Sequence, residues 1–410
     1  MKSEFDVIIV GAGAAGIGAS RQLSRRGLST LVLEAQPRIG GRAWTQETAG
    51  LHLDLGCGWL HSAEKNSLVA LANRAARRLD QSRAAWGIQY HDLGFAPREQ
   101  AAARQAFGRW MHELPRIAGS TDCVADALAP GDEWNAYVRT IAGFISGASL
   151  EQLSAADYLA YDAASTESNW RDPGGLGSLI ARAFPEDAML RVATPVEALT
   201  LLANGVAVGT PAGQIRARAV ILGVSTAVLA GGDIELPAEL DPWRDAATRL
   251  PLGRNEKLFL EIVGEAPFER ETQVVGNPRD TRTGSYYMRP MGLPVIEGFL
   301  GAESAQVVEK EGTAAAFAFA QDQLAALFGS DIRTRLRPMA ASDWGRSKYV
   351  GGAYSYALPG RTGARQALAR PFEDRVFFSG EATSRDAFST AHGAFDSGVR
   401  AAQEVLGALK

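Results

Sequence analysis

The chain opens on an apolar run, Phe5-Asp6-Val7-Ile8-Ile9-Val10, followed without a gap by Gly11-Ala12-Gly13-Ala14-Ala15-Gly16. The run predicts a buried strand, 14–26 a helix, and Thr30-Leu31-Val32-Leu33-Glu34 a second strand. Residues 51–56 alternate like a strand, and 66–79 read as a helix capped by Asn66. From about Arg83 to Phe184 the spacing turns helical, as in 97–110 and 130–145, with breaks at Ala129-Pro130-Gly131 and Asp172-Pro173-Gly174-Gly175. Strand character returns over 189–202. The Asn204-Gly205 turn follows, then 206–208 and 214–223, and Asn-Gly between alternating runs is a hairpin signal. Strands at 256–263, 284–288 and 296–301 precede a helix at 312–328. A buried strand, 375–379, and a helix from Gly393 to about Leu409 close the chain.

Strand, glycine turn, helix, strand and acidic residue within about thirty residues is the pattern of a dinucleotide-binding βαβ unit. Gly11 permits the tight turn, Gly13 lets the backbone approach a pyrophosphate, and Gly16 allows close helix–sheet packing. The helix N-terminus offers free N–H groups and a positive dipole end to phosphates. Glu34 can accept from ribose hydroxyls, and an acid here argues against NADP. The unit does not separate FAD from NAD.

Composition narrows the class. At 410 residues two domains are the default. With 46% apolar and 21% charged residues and a net charge of -4, nothing attracts nucleic acid or an anionic membrane. Cys57 and Cys123 form neither a disulfide framework nor a metal motif. No apolar run reaches the length of a membrane span. No secretory leader precedes the first strand, so a cytoplasmic protein is expected. Oligomeric state, monomer or homodimer, is not legible.

The predicted fold is α/β: a Rossmann-like nucleotide domain split into three pieces, 1–80, 190–235 and 350–410. An α+β substrate-binding domain, 81–189 and 236–349, is inserted between them. A cofactor at the junction would meet substrate entering from the second domain.

Three further stretches carry candidate chemistry. Gly40-Gly41-Arg42 follows the βαβ unit, and its arginine suits a diphosphate or is simply solvated. Gly380-Glu381 ends a buried strand, where α/β sheets place ligand contacts, so Glu381 could accept from sugar or ribityl hydroxyls. Gly393 opens a helix with further free N–H groups. Taken with Asp54-Leu55-Gly56 through His61, Lys257 and Gly352-Ala353-Tyr354, the chain resembles the flavin-containing amine oxidase family along nearly its whole length. That family includes monoamine oxidases, polyamine oxidases and flavin-dependent histone lysine demethylases.

The resemblance implies FAD across the domain junction. Its contacts would be Gly11, Gly13, Ala14, Ala15, Gly16, Glu34 and Ala35, then Gly41, Arg42, Gly56, Cys57, Gly58 and Trp59. Val196, Trp344, Gly380, Glu381, Thr390 and Ala391 complete the set. Lys257, by its strand pattern equally a solvent-facing lysine, would hold a water against flavin N5. Tyr354, otherwise a core tyrosine, would form one wall of an aromatic cage for the amine. Thr390 stands at the opposite wall, where monoamine oxidases carry tyrosine, which leaves room for a bulkier amine. Ala353 replaces their flavin-linked cysteine, so non-covalent FAD is expected. Trp59, His61, Trp344 and Phe388 could line the substrate cavity, His61 equally bonding a loop. Val224-Ser225 departs from relatives with proline after the valine.

The expected reaction is oxidation of a primary or secondary amine, a polyamine among the candidates, by hydride transfer to the flavin. It would give an imine, then an aldehyde or ketone, with O2 reduced to hydrogen peroxide. A flavin desaturase of an apolar substrate and a non-catalytic FAD-binding module remain alternatives. An NAD-dependent dehydrogenase leaves Gly380-Glu381 without a role. Histone demethylation is disfavoured, because the chain has no long coiled-coil insertion and no basic excess. Among the acids, Glu64, Asp157, Asp162 and Glu297 have no readable place on an entry path.

Overall fold

The computed structural model describes residues 4–265 and 267–410. β1 (Phe5–Val10) leads into the helix Ala14–Leu23 and returns through β2 (Thr30–Leu33), which pairs parallel with β1. A small hairpin, β3 (Thr45–Thr48) and β4 (Leu51–Asp54), follows. After the helical segments come β5 (Met189–Arg191), β6 (Ala198–Leu202), β7 (Gly205–Thr210) and β8 (Gly213–Leu222). β9 (Asn255–Ile262), β10 (Thr272–Val275), β11 (Ser285–Met288), β12 (Val295–Gly301), β13 (Leu336–Ala341) and β14 (Val376–Phe378) complete the strands.

Strands from the start, middle and end of the chain share one sheet, in the order β5-β2-β1-β8-β7-β6, with β14 also on β8. β8 has β1 parallel along one edge. Its other edge is divided, the first half pairing with β7 and the last three residues with β14. Val7, Ile8 and Ile9 are fully buried because helices and loops cover both faces, which is why β1 reads as a continuous apolar run.

The second sheet, β10-β11-β12-β9-β13, is antiparallel. Alternation along β9 divides its faces: Leu258 and Leu260 pack with Ala316, Ala320 and Leu324 of the helix Thr313–Phe328. Lys257 and Phe259 project from the other face. The helical insertion, built on Pro97–Ala118, Asn135–Ser146 and Ala155–Ala164, has its own core around Trp110, Leu114 and Tyr158.

Several boundaries differ from the sequence reading. The first helix stops at Leu23, before Arg25 enters the left-handed region. The hairpin turn is centred on Ala203 and Asn204, and Gly205 (φ 112°) is already paired with Leu202. The last helix begins at Ala391, not Gly393. Thr390 caps it, accepting from the Gly393 N–H at 3.0 Å, so that donor is not free for a ligand. β10 and β13 were not anticipated. β13 contains Pro338, which argues against a strand but is tolerated on this edge beside a register shift.

The first and last helices cross at glycine. A Cβ on Gly398 would lie 1.8 Å from the Ala15 carbonyl oxygen, and one on Gly18 would lie 2.2 Å from that of Phe395. No helix among the described residues is long and apolar enough to cross a membrane.

Candidate functional site

A cavity of about 960 Å³ lies where the two sheets approach. One part of its wall is the βαβ unit: Gly11, Gly13, Ala14, Ala15, Glu34, Ala35, Gly41 and Arg42. Gly56, Cys57, Gly58, Val196, Ala353, Gly380, Glu381 and Ala391 continue it. Lys257, Glu297, Tyr354, Trp344, Trp59, His61 and Thr390 line the remainder, joined by Phe144, Tyr161 and Phe299.

The βαβ part has the chemistry a dinucleotide requires. No side chain caps the helix at Gly13, so its first-turn N–H groups have no side-chain competitor. The nearest atoms to a Cβ on Gly13 would be Gly40 and Gly41 backbone at 3.9 Å, so two glycine loops approach here backbone to backbone. Gly40 N–H donates to the Ala12 oxygen at 2.8 Å. Glu34 is held by N–H donors from Ala12 (2.7 Å) and Gln36 (2.8 Å). Burial raises its pKa against those bonds, and each oxygen keeps acceptor capacity for a hydroxyl. Gly16 does not line the cavity. A Cβ there would lie 1.9 Å from the Gly11 oxygen, so its part in the site is packing, not contact.

Glu381 differs from the sequence reading in a more consequential way. Oε1 accepts from Arg42 Nη1 and from the Ser355 N–H, both at 3.0 Å. Oε2 accepts from Ser355 Oγ at 2.7 Å and from the Ser389 N–H at 3.0 Å. A carboxylate has about four acceptor positions, and the protein fills them. Glu381 therefore ties three chain segments together instead of receiving sugar hydroxyls. Burial works most strongly against its charge, yet Arg42 and Arg365, together with the hydrogen bonds from Ser355 and Ser389, outweigh it and hold the pKa below the usual range. Arg42 also donates to the Ala353 oxygen.

Lys257 is not the solvent-facing lysine its strand pattern allowed. Its side chain is 10% exposed, and Nζ lies 2.8 Å from Glu297 Oε1 and 3.2 Å from the Asp54 oxygen. Tyr354 donates its hydroxyl to the Phe144 oxygen at 2.7 Å. Burial pushes its pKa well up, so it stays a phenol with its oxygen committed to backbone. Thr390 is equally committed, donating to the Ala387 oxygen at 2.6 Å while it caps the last helix. Trp344 donates Nε1 to the Leu55 oxygen at 3.1 Å, at the rim of the Gly56 turn. His61 Nδ1 lies 2.7 Å from Asn169 Oδ1. Burial lowers the His61 pKa, so the ring is neutral, donates there and leaves Nε2 as an acceptor.

Phe388 does not reach the cavity. It is buried beneath the Arg365 guanidinium, whose carbon lies 3.7 Å from the ring centroid, and beside Tyr161. Of the unplaced acids, Asp162 and Glu297 line the cavity. Asp157 instead forms a buried two-pronged pair with Arg365 at 2.8 Å. The residues the sequence reading missed, Phe144, Tyr161, Asn255 and Trp86, come from the insertion and second sheet, where no motif marks them. Glu297 did leave a signal, as one charge in the otherwise apolar run Val295-Ile296-Glu297-Gly298-Phe299. No group of three or more His, Cys, Asp or Glu among the described residues could hold a metal ion.

Comparison with known proteins gives a consistent picture. The model of the family described as flavin containing amine oxidoreductase matches residues 14–91 and 89–406. Polyamine oxidase 2 of Arabidopsis thaliana is 28% identical, over 97% of this chain and 87% of its own length. Lysine-specific histone demethylase 1 homolog 2 of Oryza sativa subsp. japonica is 26% identical, over 98% of this chain but 57% of its own length. A solved structure of wild-type putrescine oxidase bound to putrescine superposes with a TM-score of 0.76 at 20% identity, covering 98% of this chain and 99% of that one.

Proposed function

The chain belongs to the flavin-containing amine oxidoreductase family, and on that premise we propose that it is an FAD-dependent oxidase of a primary or secondary amine. The observation carrying this reading is one cavity whose wall runs from the glycine turn and Glu34 to Lys257 and Tyr354. Polyamines are among the candidate substrates, in keeping with the relatives' names and the putrescine held by the structural relative.

Gly13 to Ala15 and Glu34 would hold the adenosine and diphosphate part of FAD, and the second half of the wall its flavin. When bound, the flavin supplies the acceptor for the hydride that leaves the amine α-carbon. Tyr354, its hydroxyl anchored on Phe144, presents a ring of fixed orientation to position the nitrogen. Phe144, Phe299, Ile141 and Trp59 exclude water and so disfavour the ammonium form of the substrate. A neutral amine needs no protein base before it gives up hydride. Lys257 sets a fixed positive charge beside the reacting region, a preorganised electrostatic contribution. The released imine hydrolyses to an aldehyde or ketone, and O2 is the proposed final acceptor, reduced to H2O2. Ala353 offers no nucleophile, and burial pushes the Cys57 thiol up to about 12, which supports non-covalent FAD.

The test is anaerobic mixing of the FAD-loaded protein with a panel of mono-, di- and polyamines. At least one amine should bleach the flavin absorbance, faster as the pH rises toward that amine's own pKa. A panel in which no amine bleaches it sinks the proposal.

A further inference from the structure

Lys257 and Glu297 lie on neighbouring strands. In the β9–β12 ladder Phe299 is directly opposite Lys257, and Glu297 is opposite Phe259. Lys257 and Glu297 are therefore diagonal neighbours on the cavity face, a separation that long side chains can bridge. They do bridge it, at 2.8 Å. The ammonium has two further boundaries. The Asp54 carbonyl accepts from it at 3.2 Å. A Cβ on Gly58 would lie 3.0 Å from Nζ, so glycine there gives the ammonium its place.

The charged and titratable groups facing this ammonium are Glu297, the Asp54 carboxylate and the Cys57 thiol, with His61 also within electrostatic reach. Burial on its own lowers the pKa of Lys257. Glu297, by charge and by hydrogen bond, is foremost in reversing that, and the pKa stands above its ordinary value.

We propose that Glu297 is the positioning residue of Lys257, keeping its ammonium charged and fixed at one point on the cavity wall. This rests on the reading above that Lys257 serves the reaction. Glu297 acts through the lysine and not on the substrate.

Two measurements on the FAD-loaded protein test it. The first is trace acylation of lysines, with Lys257 followed by mass spectrometry. Glu297→Gln should raise Lys257 labelling by about tenfold for each unit of pKa lost, while Glu297→Asp stays near wild type. Unchanged labelling in Glu297→Gln overturns the coupling, whatever the protein's function.

The second is anaerobic reduction by the responding amine. Glu297→Gln should lower the limiting rate about tenfold or more and leave the amine's dissociation constant within about threefold. Lys257→Met and Lys257→Met/Glu297→Gln should share one rate within about twofold, since coupled sites are not additive. That comparison leaves no unpaired ammonium and stands even if Glu297→Gln folds poorly. A dissociation constant raised about tenfold at an unchanged limiting rate makes Glu297 a substrate contact and overturns the proposal. So does a Glu297→Gln effect that persists without Lys257. If Lys257→Met itself leaves the reduction rate unchanged, the reading of Lys257 fails, and the labelling result still stands.

Discussion

His392 shows how one side chain can record the pH of its surroundings. It is 8% exposed, and its Nδ1 lies 3.2 Å from Asn66 Nδ2. Asn66 has no freedom to turn. Its Oδ1 accepts from the Leu68 N–H, and its Nδ2 also donates to the His61 oxygen. Nδ1 of His392 must therefore accept, which a protonated imidazole cannot do. Burial foremost, with His61 adding to it, lowers the pKa from 6.5 to about 4. The unfolded chain thus takes up a proton that the folded chain refuses between those values. The resulting stability is fully present above pH 6.5 and is lost as the pH falls toward about 4. Urea midpoints measured across that window should fall less steeply in His392→Gln than in wild type. Identical slopes would remove His392 from the acid response. Nothing local marks this residue's role, because its partner Asn66 is 326 positions away. Lys257 was legible only through family resemblance, since strand alternation alone sends it to solvent as readily as to a cavity. Phe388 was misplaced because an aromatic beside a site motif cannot be told from one that packs behind it.

The elements that repeat a strong local signal were the ones the sequence revealed well. β1, the glycine turn and the first helix follow from apolar runs and glycine spacing. Asn66 caps its helix as its position predicted. The elements that were missed or displaced depend on distant partners. β13 is a strand because β9 offers it an edge, and the last helix starts early because Thr390 supplies a cap. The crossing of the first and last helices is also non-local, and it falls on Ala15, in the first turn of the helix that follows the glycine turn. Gly398→Ala would drive a methyl group into the Ala15 carbonyl, and relief requires the helices to separate. The expected cost is about 1–3 kcal/mol, as for overpacking elsewhere. Denaturant unfolding should show it together with weaker FAD retention on gel filtration. Wild-type stability and FAD retention in Gly398→Ala would mean that the crossing does not constrain the turn.

At the scale of the molecule, the three-piece nucleotide domain was readable from the order of its motifs, but its fastening to the helical insertion was not. Asp157 belongs to the insertion and Arg365 to the segment before β14, and their side chains are 4% and 5% exposed. Asp157 Oδ2 also accepts from the Ala357 N–H at 2.9 Å. Removing one member of a buried pair leaves the other charge stranded, at a cost of about 3–5 kcal/mol. Asp157→Ala should therefore unfold at markedly lower denaturant, and Asp157→Ala/Arg365→Met should recover much of the loss. A double variant no more stable than the single one would show that the two charges are not coupled.

The Glu381 node has a consequence in time as well as in space. Its four donors come from Arg42, Ser355 and Ser389, and the strand before it, β14, fills the remaining edge of β8. During synthesis the βαβ unit emerges long before Glu381, complete in its glycines and in Glu34. It must then wait before Arg42 finds its carboxylate, 339 positions later. The stretch of cavity wall formed by Arg42, Ala353 and Glu381 closes only after Ser389 has been made. A cavity closed at this node therefore marks a chain that has been made at least as far as Ser389.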